Sequence, residues 1–161
     1  MLRIILLTLS LALSAPQVSA DTLDDADNAY DREDFDTAVK IFRKLAEQGD
    51  ADGQINLGKM YANGEGVLQD YAETVKWYRL AAEQGNAYAQ VLIGLMYANG
   101  MGVAQDNIMT YMWYSLASAN GDEGAGEWRD ELAELITATD LAKAQAMALE
   151  CMNSGYKNCG D

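Results

Sequence analysis

Residues 51–86 read ADGQINLGKMYANGEGVLQDYAETVKWYRLAAEQGN, and residues 87–122 continue as AYAQVLIGLMYANGMGVAQDNIMTYMWYSLASANGD. When the second stretch is aligned under the first at an offset of 36, 18 of the 36 positions are identical. A fixed period of this length is typical of stacked supersecondary units, each of which buries its apolar face only against a neighbour. The repeat therefore predicts a solenoid.

Each unit is predicted to be an antiparallel pair of helices. Apolar residues recur at helical spacing over 51–62, and the two glycines of 63–66 end that helix because glycine accepts a positive φ. Asp70 then caps a second helix, with Glu73 three residues later in a capping-box pattern, and Gly85 ends it. No proline follows residue 16 and no alternating β-branched run occurs, so the chain is predicted to be all-α.

Two kinds of repeated residue are predicted to shape the core. Gly58 and Gly94 stand where a missing side chain lets the paired helices approach closely. Trp77 and Trp113 occupy one fixed position per unit. A position fixed in this way favours a core role over a ladder of aromatic rings that stack on a ligand.

The repeated positions resemble those of the Sel-one-like repeat family, which is related to the tetratricopeptide repeats. In the first copy the family pattern appears as Leu57-Gly58, Tyr61, Gly64-x-Gly66-Val67, Asp70, Trp77-Tyr78, Ala81-Ala82 and Gly85. The second copy departs at Ile93 and Ser118, and both copies carry threonine, Thr74 or Thr110, where alanine is usual. The resemblance implies an α-solenoid of antiparallel helix hairpins, with scaffolding or regulatory roles, often in the cell envelope.

The ends of the array are predicted to be atypical, since a solenoid must cover its last apolar faces. Residues 21–50 resemble a shorter first unit, and residues 123–135 and 137–153 are predicted to form two closing helices, the second capped by Thr137 with Asp140. The predicted organisation is a signal peptide over 1–20, a partial repeat over 21–50, repeats over 51–86 and 87–122, and capping helices with a tethered tail over 123–161.

The N-terminus has the three-part plan of a secretory signal peptide. A basic residue precedes an apolar run over 4–13, and Val18 and Ala20 occupy the −3 and −1 positions of a cleavage site before Asp21. The run is too short to span a bilayer. We therefore expect a periplasmic or secreted protein without membrane insertion after cleavage; an uncleaved anchor or a first core helix is the alternative.

Charge and composition exclude several classes of function. The net charge is −14, which disfavours binding to nucleic acid or to anionic lipid. The chain has no histidine, so it lacks the usual general base and the commonest zinc ligand. The acidic stretch over 24–36 lacks the spacing of a calcium loop and is expected to be a solvated surface. We expect no metal and no cofactor.

The cysteines Cys151 and Cys159 are the only two in the chain. Two sulfurs without histidine cannot complete a zinc site. In an exported protein an even number of cysteines indicates a disulfide. The pair is therefore predicted to tether residues 152–158 to the last helix.

An enzymatic function is the main alternative. Ser154 and Lys157 fit the S-x-x-K motif of enzymes that bind β-lactams, and Ser118 with Asn120 fits S-x-N. No K-[ST]-G motif occurs, and the cysteine pair that β-lactam-binding relatives carry in each repeat is absent. We therefore expect no catalytic residue. A purely structural or ion-buffering protein is a third hypothesis.

A protein or peptide partner is predicted to bind along the first helix of each hairpin. In the first full repeat the non-consensus positions there are polar: Asp52, Gln54, Asn56 and Lys59. In the second repeat Tyr88, Leu92, Leu95 and Met96 form one apolar stripe. A helix that is apolar nearly all round is buried in the core or covered by a partner. The alternatives are packing against the next repeat and a homodimer contact.

Overall fold

The predicted hairpins are present in the computed structural model, which describes residues 21–157, 159 and 160. The predicted signal peptide lies outside the described residues. The helices are α1 (Leu23–Asp31), α2 (Phe35–Glu47), α3 (Ala51–Asn63), α4 (Tyr71–Ala82), α5 (Ala87–Asn99), α6 (Asn107–Ala119), α7 (Glu123–Leu135) and α8 (Ala138–Asn153). The part of the chain that the structure describes contains no strand, and the all-α prediction is confirmed.

The helices stack in sequence order. Helices α1 and α2, α3 and α4, and α5 and α6 pack as pairs, and the second helix of each pair also packs against the first helix of the next. Every hairpin therefore shares its apolar interior with its neighbour, as a solenoid requires. The first helices of successive hairpins present an outer surface opposite their second helices, and that surface carries the candidate site.

Helix boundaries follow the turn residues in the sequence. Gly64 ends α3 in the left-handed conformation with φ 74°, and Asp70 caps α4 by accepting hydrogen bonds from two backbone N–H groups. The predicted capping box at Glu73 is wrong. The Asp70 N–H donates to the Tyr61 carbonyl oxygen, and the Glu73 carboxylate instead accepts a hydrogen bond from the Trp77 indole, 3.1 Å away.

The repeated glycine and tryptophan positions lie in the core, as predicted. A Cβ at Gly58 would stand 2.6 Å from the ring of Tyr78, and a Cβ at Gly94 would stand equally close to the Tyr114 ring. Only glycine permits this approach of the two helices. Trp113 is fully buried and the Trp77 side chain is nearly so, which makes a ligand-stacking ladder of these rings untenable.

The array ends because α7 lacks the surface on which a further second helix could pack. Helix α7 packs against α6 in the place of the next first helix, but its Arg129 and Asp130 stand where α5 has Ile93 and Gly94. The two charged side chains pair with each other, with 2.6 Å between Arg129 Nη2 and Asp130 Oδ1. Charges at these positions replace the apolar contact and the close approach that a hairpin needs.

Helix α8 instead covers the outer face of α6. Met112 and Leu116 are completely buried in a cluster with α8 residues, whereas the corresponding α4 residues, Lys76 and Leu80, are exposed. Because these two positions of α6 carry apolar side chains, α8 can bury them by packing on this face. The two predicted closing helices are confirmed, and both pack on α6.

The C-terminal tail is tied down by the predicted disulfide, which joins Cys151 to Cys159 with 4.7 Å between their Cα atoms. Both cysteines are buried. Within the closed loop, the Tyr156 hydroxyl donates to the Asn120 side-chain oxygen at 2.8 Å. Because α8 continues to Asn153, the tethered segment outside the helix begins at Ser154, two residues later than predicted.

Candidate interaction surface

Buried glutamines fix the first helices in register. The Gln54 amide donates to the Ala46 carbonyl oxygen at 3.2 Å and accepts from Gln84 at 2.8 Å. Gln90 repeats the arrangement 36 residues later, donating to the Ala82 carbonyl oxygen. The sequence analysis placed Gln54 among partner-facing positions, which is wrong because its amide is needed to satisfy the buried end of α2. The identity of positions 54 and 90 is the signal that could have shown this.

A second periodic contact joins each second helix to the first helix of the next hairpin. The Arg43 guanidinium donates to the Tyr61 hydroxyl at 2.9 Å, and Arg79 donates to Tyr97 at 2.6 Å. The sequence analysis did not assign this role to the arginines, although they recur at the same offset as the tyrosines. Together with the glutamines, these contacts fix α3 on α2 and α5 on α4 in the same way.

The four residues of the apolar stripe on α5 differ in their exposure. Tyr88 is 49% exposed and Leu95 is 36% exposed, while Leu92 is partly buried against the core. Met96 is only 4% exposed and lies in the core, so its assignment to the accessible stripe is wrong. Met96 follows Ile93 by three residues and therefore falls on the same buried side of the helix. Whether Tyr88, Leu92 and Leu95 bind a partner remains a prediction.

Polar residues of α3 adjoin this stripe. The Lys59 ammonium lies 5.0 Å from the centroid of the Tyr88 ring, a distance typical of a cation–π contact. Asp52 is exposed, and Asn56 and Lys59 are partly buried. One repeat later, the positions of Asn56 and Lys59 hold leucines, so the surface changes from polar to apolar between α3 and α5.

Carboxylates of α1 extend the polar part of the surface. The pKa of Asp27 is raised by partial loss of solvent and by the neighbouring charges of Asp31, Asp24 and Asp52, with a smaller opposing effect from Lys59. These groups therefore lie close enough to repel one another across α1 and α3. Beside them is a cavity of about 180 Å³ lined by Asp27, Tyr30, Phe42, Asn56 and Lys59.

Trp128 provides an aromatic residue at the other end of the surface. It occupies on α7 the position that Leu92 occupies on α5, and it is 44% exposed. Its ring packs against Tyr114, with 5.7 Å between ring centroids. The sequence analysis missed Trp128 because the repeat pattern was not extended past residue 122.

These residues define one surface, called the first-helix face below. It comprises Asp24, Asp27, Asp31, Asp52, Asn56, Lys59, Tyr88, Leu92, Leu95 and Trp128. The surface is acidic along α1, mixed along α3, and apolar and aromatic along α5 and α7. Its chemistry is that of non-covalent recognition, with carboxylates at one end and large apolar groups at the other.

The residues of the enzymatic alternative have structural contacts. Ser154 follows the last residue of α8, and its hydroxyl donates to the Cys151 carbonyl oxygen at 2.9 Å. The same hydroxyl oxygen accepts the Lys157 backbone N–H at 3.1 Å. Asn120 of the S-x-N match donates to Gln90 and accepts from Tyr156. Both motifs therefore fall on groups that close helix ends and hold the tail.

The part of the chain that the structure describes contains no group of three or more acidic or cysteine side chains arranged to hold a metal ion. None of the helices in this part has the length and hydrophobicity needed to cross a bilayer.

Hairpins that stack in sequence order and leave one face of their first helices exposed define an α-solenoid repeat protein. The family model of the Sel1 repeat matches residues 30–50, 51–86 and 87–122. These residues make up more than half of the chain, so the protein belongs to the Sel1 repeat family. The resemblance inferred from the repeated positions is confirmed.

Two solved structures are similar to this chain. The crystal structure of c5321, a protective antigen present in uropathogenic Escherichia coli strains and displaying an SLR fold, aligns with a TM-score of 0.76 and 30% identity over 83% of this chain. The present chain spans 30% of that antigen. A Sel1 repeat protein from Oxalobacter formigenes aligns with a TM-score of 0.57 and 32% identity, over 68% of this chain and 97% of its own. The comparison with curated proteins found no match.

Proposed function

We propose that this protein is an exported scaffold or regulator of the cell envelope that binds a protein partner through the apolar part of its first-helix face. Sel1 repeat proteins generally mediate protein–protein interactions. The observation that carries the proposal is the exposure of Tyr88 and Leu95 on α5, where the preceding repeat has Asp52 and Lys59. Large apolar side chains at such positions contribute to binding and not to the folding of the hairpin itself.

Packing within the chain does not account for the stripe. Helix α7 packs against α6, and Tyr88 and Leu95 stay exposed with α7 and α8 in place. A second copy of the chain is the remaining alternative occupant. Measurement of the association state by sedimentation distinguishes self-association from binding of a different protein.

Export is the second part of the proposal. The disulfide between Cys151 and Cys159 suits an oxidising compartment such as the periplasm. The three-part pattern before Asp21 supplies the route. N-terminal sequencing of protein from the producing cell should begin at Asp21 or within a residue or two. Intact protein that begins at Met1 in the cytoplasm would overturn the proposed location.

The enzymatic alternative has little support. Sel1 repeat proteins are generally non-enzymatic scaffolds. Ser154 is engaged by backbone groups at the end of α8. On the first-helix face, in contrast, Tyr88 and Leu95 stay exposed, and packing within the chain does not account for them. An assay for β-lactam turnover with a Ser154→Ala control would decide the point, and we expect no turnover by either protein.

The proposal is tested with a charge substitution on the stripe and a matched control. The double variant Tyr88→Asp, Leu95→Asp should lose a partner that wild-type protein captures from envelope extracts, with unchanged helical circular dichroism. The control is Leu80→Asp on α4, because Leu80 is 39% exposed, close to the value for Leu95, but lies on another surface. Equal capture by both variants would contradict the proposal. Sedimentation shows whether the captured partner is a second copy.

A further inference from the structure

We propose that the first-helix face binds an extended partner segment with one basic side chain in the cavity between α1 and α3 and apolar side chains on the stripe of α5. This inference rests on the proposed function and specifies the chemistry of the partner. The basic group would be an arginine or lysine, seated between the Asp27 carboxylate and the aromatic walls of the cavity. The apolar side chains would lie on Tyr88, Leu92 and Leu95.

The cavity has the composition that recognises an organic cation. Its volume of about 180 Å³ is close to that of one long side chain. Tyr30 and Phe42 supply aromatic walls, Asp27 supplies the negative charge and Asn56 an amide oxygen. Guanidinium and ammonium groups are attracted both to carboxylates and to the faces of aromatic rings.

The walls of the cavity are held in place. The Tyr30 hydroxyl donates to the Glu65 carboxylate at 2.9 Å, and its ring packs edge-on against Phe35. The hydrogen bond to Glu65 and partial burial raise the pKa of Tyr30, so its ring stays neutral. Phe42 is almost completely buried. The site therefore needs little rearrangement to accept a side chain, which lowers the entropic cost of binding.

Charge complementarity indicates that the partner side chain in the cavity is positively charged. Asp24, Asp27, Asp31 and Asp52 repel one another, and this repulsion adds to desolvation in raising the pKa of Asp27. A bound cation would relieve the repulsion. Lys59 lines the same cavity and partly offsets this repulsion, but its effect on Asp27 is the smallest of the four neighbouring charges, and its ammonium also contacts the Tyr88 ring. The net charge of −14 further favours encounter with a basic partner.

Helix spacing fixes the distance between the two anchors. The contact between Lys59 of α3 and Tyr88 of α5 shows that these two first helices are neighbours. At a spacing of about 8–10 Å between neighbouring helices, the centre of the cavity between α1 and α3 is about 12–15 Å from the stripe on α5. An extended chain covers about 3.3 Å per residue, so the basic residue and the first apolar residue are about four positions apart, with about three residues between them. A partner with adjacent basic and apolar residues would reach only one anchor.

The test uses synthetic peptides, acetylated and amidated, with fluorescence anisotropy as the readout. The probe peptide carries one arginine, a spacer of three glycine and serine residues, and a Leu-Leu pair. One control replaces arginine by citrulline, which is neutral and nearly isosteric. A second control removes the spacer. We expect the probe to bind about tenfold more tightly than either control, as charge-assisted contacts of this kind allow.

Two substitutions of residues that line the cavity should change the affinity for the probe peptide in opposite directions. Asp27→Asn should weaken probe binding about five- to tenfold, and Lys59→Met should tighten it about two- to fivefold by removing a competing cation. Asp36→Asn on α2 is the control, since it makes the same charge change at an exposed position away from the cavity. Equal losses in Asp27→Asn and Asp36→Asn would reduce the effect to net charge and overturn the inference.

Different results would contradict the cationic anchor and the proposed scaffold function. If the envelope partner still depends on Tyr88 and Leu95 but no peptide discriminates arginine from citrulline, the cationic anchor is wrong and the scaffold function stands. If probe binding survives Tyr88→Asp, Leu95→Asp unchanged, the two-anchor arrangement is wrong. Absence of probe binding at millimolar concentration would also overturn it.

Discussion

The ammonium of Lys59 on α3 lies 5.0 Å from the ring centroid of Tyr88 on α5. This pair marks the boundary at which the first-helix face changes from acidic to apolar. On one side of it the carboxylates of α1 are crowded, and on the other the exposed side chains are tyrosine and leucine. Two repeats with the same tryptophan and glycine positions therefore present different chemistry, because Asp52, Asn56 and Lys59 of the first are replaced by Tyr88, Leu92 and Leu95 in the second.

Trp113 should be the most costly core residue to remove. It is completely buried, so Trp113→Ala should lower the free energy of unfolding by about 3–5 kcal/mol, through lost apolar contact and a residual cavity. Trp128→Ala is the control, because Trp128 is 44% exposed and should cost about 1 kcal/mol or less. Urea denaturation measures both values. A Trp113→Ala protein with the wild-type midpoint would contradict the assignment of the core.

Much of this core could be predicted from the sequence, because the 36-residue offset fixes which positions are equivalent. Gly58 and Trp113 were assigned correctly on that basis. Met96 and Gln54 were misplaced, since the offset gives equivalence but not which side of the helix faces inward. Whether Ala89, Ile93 and Met96 face the core depends on how α5 packs against its neighbouring helices, which the repeat offset does not specify.

The C-terminal part could be predicted only in outline. The two closing helices and their cap at Thr137 follow from local signals. The packing of α8 on Met112 and Leu116 depends on tertiary contacts, which local sequence does not specify. The equivalent residues of α4, Lys76 and Leu80, are exposed, but this difference is informative only when the position of α8 is known. The cavity beside Asp27 likewise depends on the spacing of three helices, which no single stretch of sequence specifies.

Loss of the disulfide should destabilise the protein and release its tail. A disulfide that closes a loop of this length contributes about 2–3 kcal/mol in the chain-entropy description. The double variant Cys151→Ser, Cys159→Ser should therefore have a free energy of unfolding lower by that amount, measured by urea denaturation. Tyr156→Phe, which removes the hydrogen bond to Asn120, should cost about 1 kcal/mol with the disulfide intact. Mass spectrometry after alkylation without reductant should detect no free thiol in the wild-type protein. Modification of both cysteines would refute the tether.

Gln90 should be much less tolerant of substitution than an exposed glutamine. Gln90→Ala leaves the Ala82 carbonyl oxygen without its partner in a buried region and removes the acceptor of the exposed Asn120 amide, at a cost of about 1–3 kcal/mol. Gln48→Ala, directly after α2, is the control because the Gln48 side chain is exposed, and it should change stability by about 0.5 kcal/mol or less. Similar costs for the two variants would show that the glutamine contacts do not hold the repeats in register.

Two carboxyls of α1 should titrate in the order Asp25, then Asp27, as pH rises. Hydrogen bonds from Thr22 lower the pKa of Asp25, while desolvation and neighbouring carboxylates raise the pKa of Asp27. The ionised form of Asp25 thus contributes stability that is lost as pH falls through its lowered pKa, and the strain on ionised Asp27 is relieved as pH falls through its raised pKa. Carboxyl NMR titration over about pH 2–6 measures both values. The reverse order would contradict the electrostatic description of the first-helix face.

Site-specific photocrosslinking in the producing cell shows directly whether a partner contacts the first-helix face. A photoreactive amino acid is placed at Leu95 on the first-helix face or at Leu80 on α4, two leucines of nearly equal exposure. We expect a discrete crosslinked adduct from position 95 that disappears when Tyr88 is changed to Asp, and none from position 80. Adducts from position 80 alone, or identical adducts from both positions, would contradict this expectation.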